Sequence, residues 1–429
     1  MPGVRRARPE APQRQPQPGP GERRSRTGCG GSDSPCQEYE PTGAKVQRPC
    51  YRLGMRTKWH LSLLILLAVL VGGIASGRDV ASAQAKPAAP RFQVDPDWPL
   101  ELPNNWILGS VTGVFVDAKQ HVWVTHLPET LTEEELYQMQ KPPMGTCCAP
   151  APVVLEFDEK GKLVQGWGDA ATQDVSQFPK NPHGIFVDHN DFVWVGSHAH
   201  HRVMKFTRAG KLVFTIGEFD KVGGSADTKL LGGPSGIWVD PKTNEAFISD
   251  GYRNRRVVVV EGATGKYLRH WGAYGNVPDD TEKFDPKTMM SGALPKQFST
   301  PHGITGTKDG KIYVADRRGN RIQVFDQAGK FLSEKIIAPA TLSSGSAFVL
   351  VPSHDAAQQY LYMADGTNHK VWILRRGDLE VIGEFGRGGR QVGQLLRPHG
   401  MSIDSRGNLY VGEASTGRRV QKFTLLPGK

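Results

Sequence analysis

The sequence repeats one pattern along most of its length. The pattern reads Pro-x-Gly-apolar-x-apolar-Asp, then a turn, apolar-aromatic-apolar-small-acid, Arg-apolar-x-x-apolar and Gly-Lys-aliphatic, with its clearest copy at 301–332. Further copies start at residues 111, 182, 234 and 398, and a degenerate copy contains 361–365 and 369–373. Each copy holds four short β-patterned runs separated by Gly, Asp and Asn. Six copies of four strands predict an all-β chain that forms a six-bladed β-propeller over 84–429.

The last copy ends near 420–423 and leaves almost nothing for a fourth strand. A strand-like segment, 91–94, precedes the first copy. We expect this segment to close the ring as the missing strand, because closure would bury an exposed sheet edge.

The N-terminal region has a different composition from the repeats. Residues 1–54 are rich in Pro, Arg, Gly and Gln, so we expect a disordered extension, or an over-extended reading of a chain that starts at Met55. Residues 55–83 have the order of a secretory signal: two basic residues, an apolar run at 61–74 and Ala-x-Ala at 81–83. We predict cleavage after Ala83 and hence a secreted or periplasmic protein. If the segment is not cleaved, it would anchor the protein to a membrane. We expect no membrane contact other than through this segment.

The positive charge lies mostly outside the repeats. Residues 1–58 hold 12 Lys and Arg but five Asp and Glu, which accounts for +7 of the formal net charge of +10. The rest of the chain is therefore close to neutral. A strongly basic surface on the propeller is not supported, so we expect no nucleic-acid partner.

Cysteine usage gives little information about the redox environment. After the predicted cleavage, the chain keeps only the adjacent residues Cys147 and Cys148. Two neighbours cannot form a disulfide framework. We favour two thiols or a strained vicinal bridge in a loop over a metal or redox role.

The variable position of Pro-x-Gly is histidine in three copies. These histidines belong to blades two, four and six: His183, His302 and His399. Blades one, three and five have Thr112, Ser235 and an irregular stretch near 346–347. Alternate blades of a six-bladed ring would place the three imidazoles around one channel mouth, where they suit Zn²⁺ or a similar divalent ion. For any single histidine, satisfying the local backbone is the alternative.

The ends of the second strands should reach the same mouth. Tyr252 and Arg317 follow such strands. A tyrosine beside a divalent cation can act as a base, and an arginine can hold a carboxylate. A loop tyrosine and a salt-bridged arginine are the alternatives. Equivalent positions in the copies hold His126, His198, Asp250, Asp316, Asp365 and Glu413, of which the two histidines are possible supporting groups.

Two insertions fall on this face, at 127–150 and 273–299. The first contains Thr132 and Glu135, a capping-box pattern, followed by a short helix that Pro142 and Pro143 would end. Either insertion could act as a lid or be inert.

The repeated motifs resemble the NHL-repeat family. The copy at 301–325 has its pattern of P-x-G-I, V-x-V-A-D-like and N-R-I-Q-V-F segments. Within that family the chain most resembles the catalytic domain of the peptidyl-α-hydroxyglycine α-amidating lyases. The resemblance implies a zinc held by His183, His302 and His399, Tyr252 as the catalytic base and Arg317 as a site arginine. It also implies cleavage of a carbinolamide C–N bond to an amide and glyoxylate.

Three positions depart from the lyase pattern. Leu127, not arginine, follows His126; Arg397 stands where the lyases have methionine; and Gly400 replaces an acid linked to calcium, so Ca²⁺ has little support. Two functions stay open. Tyr252 and Arg317 favour an enzyme acting on a small molecule or peptide, whereas the missing arginine favours a non-catalytic scaffold that binds an extracytoplasmic protein, peptide or glycan.

Overall fold

The structure is a computed structural model that describes residues 88–168, 174 and 176–428. The predicted extension (1–54) and signal segment (55–83) lie outside the described residues. Within the described ranges, no helix is long and apolar enough to cross a membrane.

Strands account for nearly all of the regular structure in the described part of the chain. The first seven are β1 (Phe92–Asp95), β2 (Trp106–Ile107), β3 (Ser110–Val116), β4 (Val122–Leu127), β5 (Ala149–Pro150), β6 (Val154–Phe157) and β7 (Leu163–Trp167). The next eight are β8 (Ile185–Val187), β9 (Val193–Ser197), β10 (Arg202–Phe206), β11 (Leu212–Ile216), β12 (Pro234–Val239), β13 (Glu245–Asp250), β14 (Arg256–Glu261) and β15 (Tyr267–Trp271). The last eleven are β16 (Pro301–Gly306), β17 (Lys311–Asp316), β18 (Arg321–Asp326), β19 (Phe331–Ile336), β20 (Val349–Pro352), β21 (Tyr360–Asp365), β22 (Lys370–Arg375), β23 (Glu380–Phe385), β24 (Pro398–Ile403), β25 (Leu409–Glu413) and β26 (Arg419–Leu425). Short 3₁₀ helices lie in the two insertions, at Pro128–Thr130, Glu134–Met139, Ala273–Gly275 and Pro286–Ser291.

The described strands form six four-stranded antiparallel sheets, which confirms the six-bladed propeller. Blades one to five have the orders β3-β4-β6-β7, β8-β9-β10-β11, β12-β13-β14-β15, β16-β17-β18-β19 and β20-β21-β22-β23. The sixth has the order β24-β25-β26-β1. A separate parallel pair joins β2 and β5.

The core lies between neighbouring blades. In β9, β10 and β14 both faces are buried, whereas β11 in a fourth-strand position alternates between half-buried and exposed residues. Six apolar clusters of described residues each join two adjacent blades. One of them packs Val154 of blade one against Ile185 and Val195 of blade two. The blades are therefore held to each other mainly by apolar contacts around the whole ring.

The glycine of the Pro-x-Gly motif is required by the close approach of the next blade. A Cβ on Gly184 would lie 2.1 Å from the carbonyl oxygen of Ser235, and one on Gly303 would lie 2.6 Å from that of Phe348. Since the opposing atoms are backbone, no side-chain movement could relieve the clash. The motif glycine thus sets the spacing of the blades at the axis.

The acid at the end of each second strand braces its own blade. Asp250 accepts from Arg256 Nε at 3.0 Å, and Asp316 accepts from Arg321 Nε at 3.0 Å, with all four side chains fully buried. Glu413 pairs with Arg419 in the same way, at 2.7 Å. The expectation that these acids line the channel mouth, together with Asp365, is wrong. The arginine that opens the third strand draws Asp250, Asp316 and Glu413 inward, and Asp365 accepts from Asn368 and Trp372.

The N-terminal strand closes the ring, as predicted. β1 pairs antiparallel with β26, from Phe92 opposite Leu425 to Asp95 opposite Lys422. The Phe92 ring also packs against Tyr362 and Phe385 of blade five, with centroid distances of 5.5 and 4.9 Å. Closure therefore joins two strands and anchors a side chain between two blades.

We expect Phe92→Ala to lower the free energy of unfolding by about 2 kcal/mol, because it removes a partly buried ring from the closing strand. Gln93→Ala, on the exposed face of the same strand, should change it by less than about 0.5 kcal/mol. Denaturant unfolding measures both. Equal effects would show that Phe92 does not secure the closure.

Candidate metal centre

Three histidines meet at the axis. His302 and His399 are the second residues of β16 and β24, and His183 lies two residues before β8. The ring centroids are 4.8 Å apart for His183 and His302, 4.7 Å for His183 and His399, and 4.9 Å for His302 and His399. The three predicted metal ligands therefore form a nearly equilateral triangle.

Each ring is oriented by the backbone of the next blade. Nδ1 of His183 lies 3.2 Å from the carbonyl oxygen of Ser235, Nδ1 of His302 lies 2.7 Å from that of Phe348, and Nδ1 of His399 lies 2.9 Å from that of Thr112. A carbonyl only accepts, so each Nδ1 carries the proton and each Nε2 keeps its lone pair. The acceptor in blade five is the carbonyl of Phe348. The position expected for this blade, near 346–347, lies one or two residues too early, because the motif is degenerate there.

The site keeps its histidines neutral. All three are almost fully buried. Burial holds the pKa of His183 and His302 well below the ordinary 6.5. Repulsion from Arg317, and from any second protonated histidine of the cluster, lowers it further. Burial, followed by Arg317, lowers the pKa of His399 to about 3. Neutral imidazole is the form that binds metal, so the triangle is ready to bind a cation at neutral pH.

The donor set fits a divalent metal of the zinc type. One ligand atom from each histidine lies within 4.8 Å of the others, and no other cluster of three potential ligands is found among the described residues. Zinc–nitrogen bonds are about 2.0–2.1 Å long, and three protein ligands is the number that catalytic zinc sites use. Ca²⁺ takes oxygen ligands, and the cluster contains no carboxylate, so the set suits Zn²⁺ rather than Ca²⁺.

Tyr252 and Arg317 lie beside the triangle. The Tyr252 hydroxyl is 2.9 Å from Nε2 of His183 and 3.4 Å from Nε2 of His302. Nη1 of Arg317 donates to the same hydroxyl at 3.1 Å, and the guanidinium lies 5.0 Å from the centre of the tyrosine ring. The structure therefore brings all five predicted site residues together; their roles stay predictions.

His198 also lies at the site. Its ring is 4.9 Å from that of His183 and 4.4 Å from that of Tyr252. Burial, and next the charge of Arg317, lowers its pKa to about 4. His198 directly follows β9, the second strand of its blade, and this position is why we expected a supporting group here.

His126, by contrast, is a structural residue of blade one. Its Nδ1 accepts from the backbone N–H of Gly109 at 3.0 Å, and its Nε2 lies 2.9 Å from the carbonyl oxygen of Pro152. Burial lowers its pKa to about 4. Both nitrogens are used by the backbone, so His126 does not support the triangle.

The two insertions pack on the rim. Thr132 and Glu135 exchange backbone-to-side-chain hydrogen bonds at 2.8 and 3.4 Å, which confirms the capping box, and Glu135 also pairs with Arg418 of blade six. Cys147 and Cys148 are joined by a disulfide in this insertion. Among the described contacts, neither insertion bonds to the three histidines, Tyr252 or Arg317.

A channel continues from the histidines along the axis. It has a volume of about 440 Å³ and is lined by first-strand residues such as Val114, Ile237, Ile304 and Met401. Tyr252 and Arg317 do not line it. The histidines therefore lie between this channel and the polar side chains of Tyr252 and Arg317.

Sequence reasoning missed two side chains beside the histidine triangle, Phe348 and Arg397. Phe348 lies against the rings of His302 and His399, with centroid distances of 5.5 and 5.8 Å. Arg397 lies 5.6 Å from the centre of the Phe348 ring. One indication of Arg397 was present in the sequence, because it stands where the lyases have methionine.

We expect the purified chain, made without a histidine tag, to contain about one zinc or similar ion, as measured by plasma mass spectrometry. His302→Ala should lose the ion, because it removes one of three ligands. His270→Ala should keep it, because His270 lies on β15, the outer strand of blade three, away from the triangle. A chain without metal even after incubation with Zn²⁺ would contradict the site.

We also expect a pH effect from His126. Above pH 6.5 the ring is neutral in both states, whereas between pH 6.5 and about 4 only the unfolded chain gains the proton, so stability is lost as the pH falls. The loss should reach about 3 kcal/mol at pH 4. In the His126→Gln variant the free energy of unfolding should fall less steeply as the pH decreases, because this contribution is absent. Curves of unfolding free energy against pH that are parallel for the parent chain and the variant would contradict the prediction.

The comparisons with known proteins agree with the geometry. Residues 298–325 match the NHL repeat model. The chain is 26% identical over 341 residues to peptidyl-glycine alpha-amidating monooxygenase of Mus musculus, which covers 76% of this chain and 31% of that protein. It is 24% identical over 346 residues to peptidyl-alpha-hydroxyglycine alpha-amidating lyase 1 of Drosophila melanogaster, covering 76% and 58%.

A third relative is not named for an activity. The chain is 26% identical over 384 residues to NHL repeat-containing protein 3 of Mus musculus, covering 85% of this chain and 93% of that protein. By contrast, the chain spans only about a third of the length of the mouse monooxygenase. The resemblance inferred from the motifs is confirmed: the chain is a six-bladed β-propeller that carries the NHL repeat and is homologous to the amidating lyases and to NHL repeat-containing protein 3.

Proposed function

We propose that the chain is an exported, metal-dependent lyase that cleaves a C–N bond in a small carbonyl-derived or peptide substrate. One observation carries the proposal. The hydroxyl of Tyr252 lies within 3.4 Å of Nε2 of two histidines of the triangle and accepts from Arg317 at 3.1 Å. A proton-accepting oxygen thus lies directly beside the atoms that would bind the metal.

In this proposal the metal is Zn²⁺, held by His183, His302 and His399. A divalent ion bound there supplies a Lewis acid that polarises an oxygen of the substrate. The protein orients the three ligands, which are almost fully buried, through the carbonyl groups of the neighbouring blades.

Tyr252 would act as the general base on a substrate hydroxyl. Arg317 donates to the phenol oxygen and stabilises negative charge on it before the proton arrives. The phenolate takes the hydroxyl proton, the C–O bond becomes C=O and the C–N bond breaks. The proton then passes to the leaving nitrogen. For a peptide that ends in α-hydroxyglycine, the products are the peptide amide and glyoxylate.

Support for this chemistry comes from the site and from the relatives together. Drosophila melanogaster alpha-amidating lyase 1 is named for this class of reaction. Export is proposed from the signal pattern at 55–83, and it would give the site access to extracytoplasmic substrates. We propose neither a nucleic-acid partner nor a membrane contact beyond that segment.

A second candidate is a propeller that binds a protein, peptide or glycan without catalysis. It is favoured by Leu127, which replaces the arginine expected after His126, and by the similarity to NHL repeat-containing protein 3 over 93% of that protein. In that case the metal would only stabilise the axis.

Tyr252→Phe separates the two candidates. We expect the variant to lose at least about 100-fold in kcat/KM for glyoxylate release from N-benzoyl-α-hydroxyglycine, because it has no proton-accepting oxygen. Metal content should not change. Tyr267→Phe, whose hydroxyl bonds to His270 on an outer strand, is the matched control and should keep full activity. No turnover in the zinc-loaded parent chain would favour the scaffold.

A further inference from the structure

Two arginines converge on one aromatic ring beside the histidine triangle. The guanidinium carbons of Arg317 and Arg397 lie 5.0 and 5.6 Å from the centre of the Phe348 ring. Phe348 in turn contacts the rings of His302 and His399. Both cations therefore lie beside a ring that contacts the histidine triangle, and Arg317 also contacts Tyr252.

Neither arginine has a carboxylate partner among the residues that the structure describes. The guanidinium of Arg397 donates to the hydroxyl of Ser344 at 3.1 Å, and that of Arg317 donates to Tyr252. Arg317 is only 8% exposed, and its Nε is buried without a partner. Arg256 and Arg321, which are fully buried elsewhere in the propeller, each pair with a carboxylate. Arg202 shares the lack of a carboxylate partner among the described residues, but of the three only Arg317 and Arg397 lie beside the histidine triangle. An anion from outside the chain would supply the missing partner there.

The two positive charges also disfavour each other. Burial lowers the pKa of Arg397, and the charge of Arg317 lowers it further. An anion between the two guanidinium groups would offset both the burial and the mutual repulsion, because it would form charge-assisted hydrogen bonds with them.

The backbone holds Arg397 in place at some cost. Its φ is +54°, in the left-handed region that non-glycine residues seldom adopt. Its N–H donates to Nδ1 of His369 at 2.8 Å, and its carbonyl accepts from the N–H of Ala414 at 3.0 Å. These two hydrogen bonds hold the backbone of Arg397 in this conformation and so fix the direction in which its side chain leaves the strand.

We propose that Arg397 and Arg317 form a clamp for the carboxylate of a small-molecule ligand, with Arg397 as a specificity-determining residue. The inference rests on the proposed function, since the ligand would be the substrate at the metal. Arg317 reaches both the carboxylate and Tyr252, whereas Arg397 contacts only the carboxylate. Carboxylate suits the planar guanidinium fork, and the Phe348 ring offers a flat apolar wall beside it.

The test measures binding without turnover. The probe is hippurate, which has an amide and a carboxylate but no α-hydroxyl, and the comparison ligand is its uncharged methyl ester. Titration calorimetry on the full zinc-loaded chain gives both affinities. We expect hippurate to bind at least about tenfold more tightly than the ester.

The variants isolate Arg397. Arg397→Met should weaken hippurate binding by about 10- to 100-fold, the range for one charged hydrogen-bond partner, and leave ester binding and zinc content unchanged. Arg397→Lys should recover part of the loss. Arg406→Met is the matched control, because Arg406 is 73% exposed and pairs with Glu159 on the surface.

Each outcome decides the matter. Equal affinities of hippurate and ester, or an Arg397→Met variant that binds hippurate normally, would overturn the clamp. Binding of inorganic phosphate with no binding of hippurate would overturn the carboxylate assignment. If hippurate binds through Arg397 but N-benzoyl-α-hydroxyglycine (α-hydroxyhippurate) is not turned over, the clamp is supported and the lyase proposal fails. If turnover occurs without any Arg397 effect on hippurate, the lyase stands and the clamp fails.

Discussion

Hydrogen bonds between neighbouring blades at the axis determine the geometry of the site. Each histidine donates through Nδ1 to a carbonyl of the following blade. The hydroxyls of Thr112 and Ser235 donate onward in the same direction, at 2.8 and 2.9 Å. Between blades five and six, the Phe348 ring lies edge-on to His399 instead, at 5.8 Å. The histidine triangle is therefore part of the contact between blades and is oriented by the six blades together.

This arrangement transfers the rigidity of the fold to the site. The apolar clusters between blades and the pairing of β1 with β26 keep the first strands in register around the axis. Because the imidazoles bond to backbone carbonyls, their orientation does not depend on mobile side chains. The motif glycines, of which Gly184 and Gly303 are examples, permit the close approach that these bonds need.

The sequence predicts this site well wherever position along a strand decides the outcome. Six repeats set the number of blades, and the alternation of histidine in Pro-x-Gly then places His183, His302 and His399 on one ring. It fails where a tertiary partner decides. Asp250 and Asp316 were expected at the channel mouth, yet the arginines of the next strand draw them into the blades. The direction of Arg397 could not be predicted either, because it depends on a positive φ maintained by His369.

The division of labour between blades has a consequence for how such a molecule can evolve. Even-numbered blades contribute the imidazoles, and odd-numbered blades contribute the carbonyl groups that orient them. Duplication or loss of one repeat would set two blades of the same kind side by side, so one imidazole would lose its acceptor or its place in the triangle. A triangle of histidines built in this way therefore requires the two kinds of blade to alternate, and three imidazoles with three acceptors require six blades.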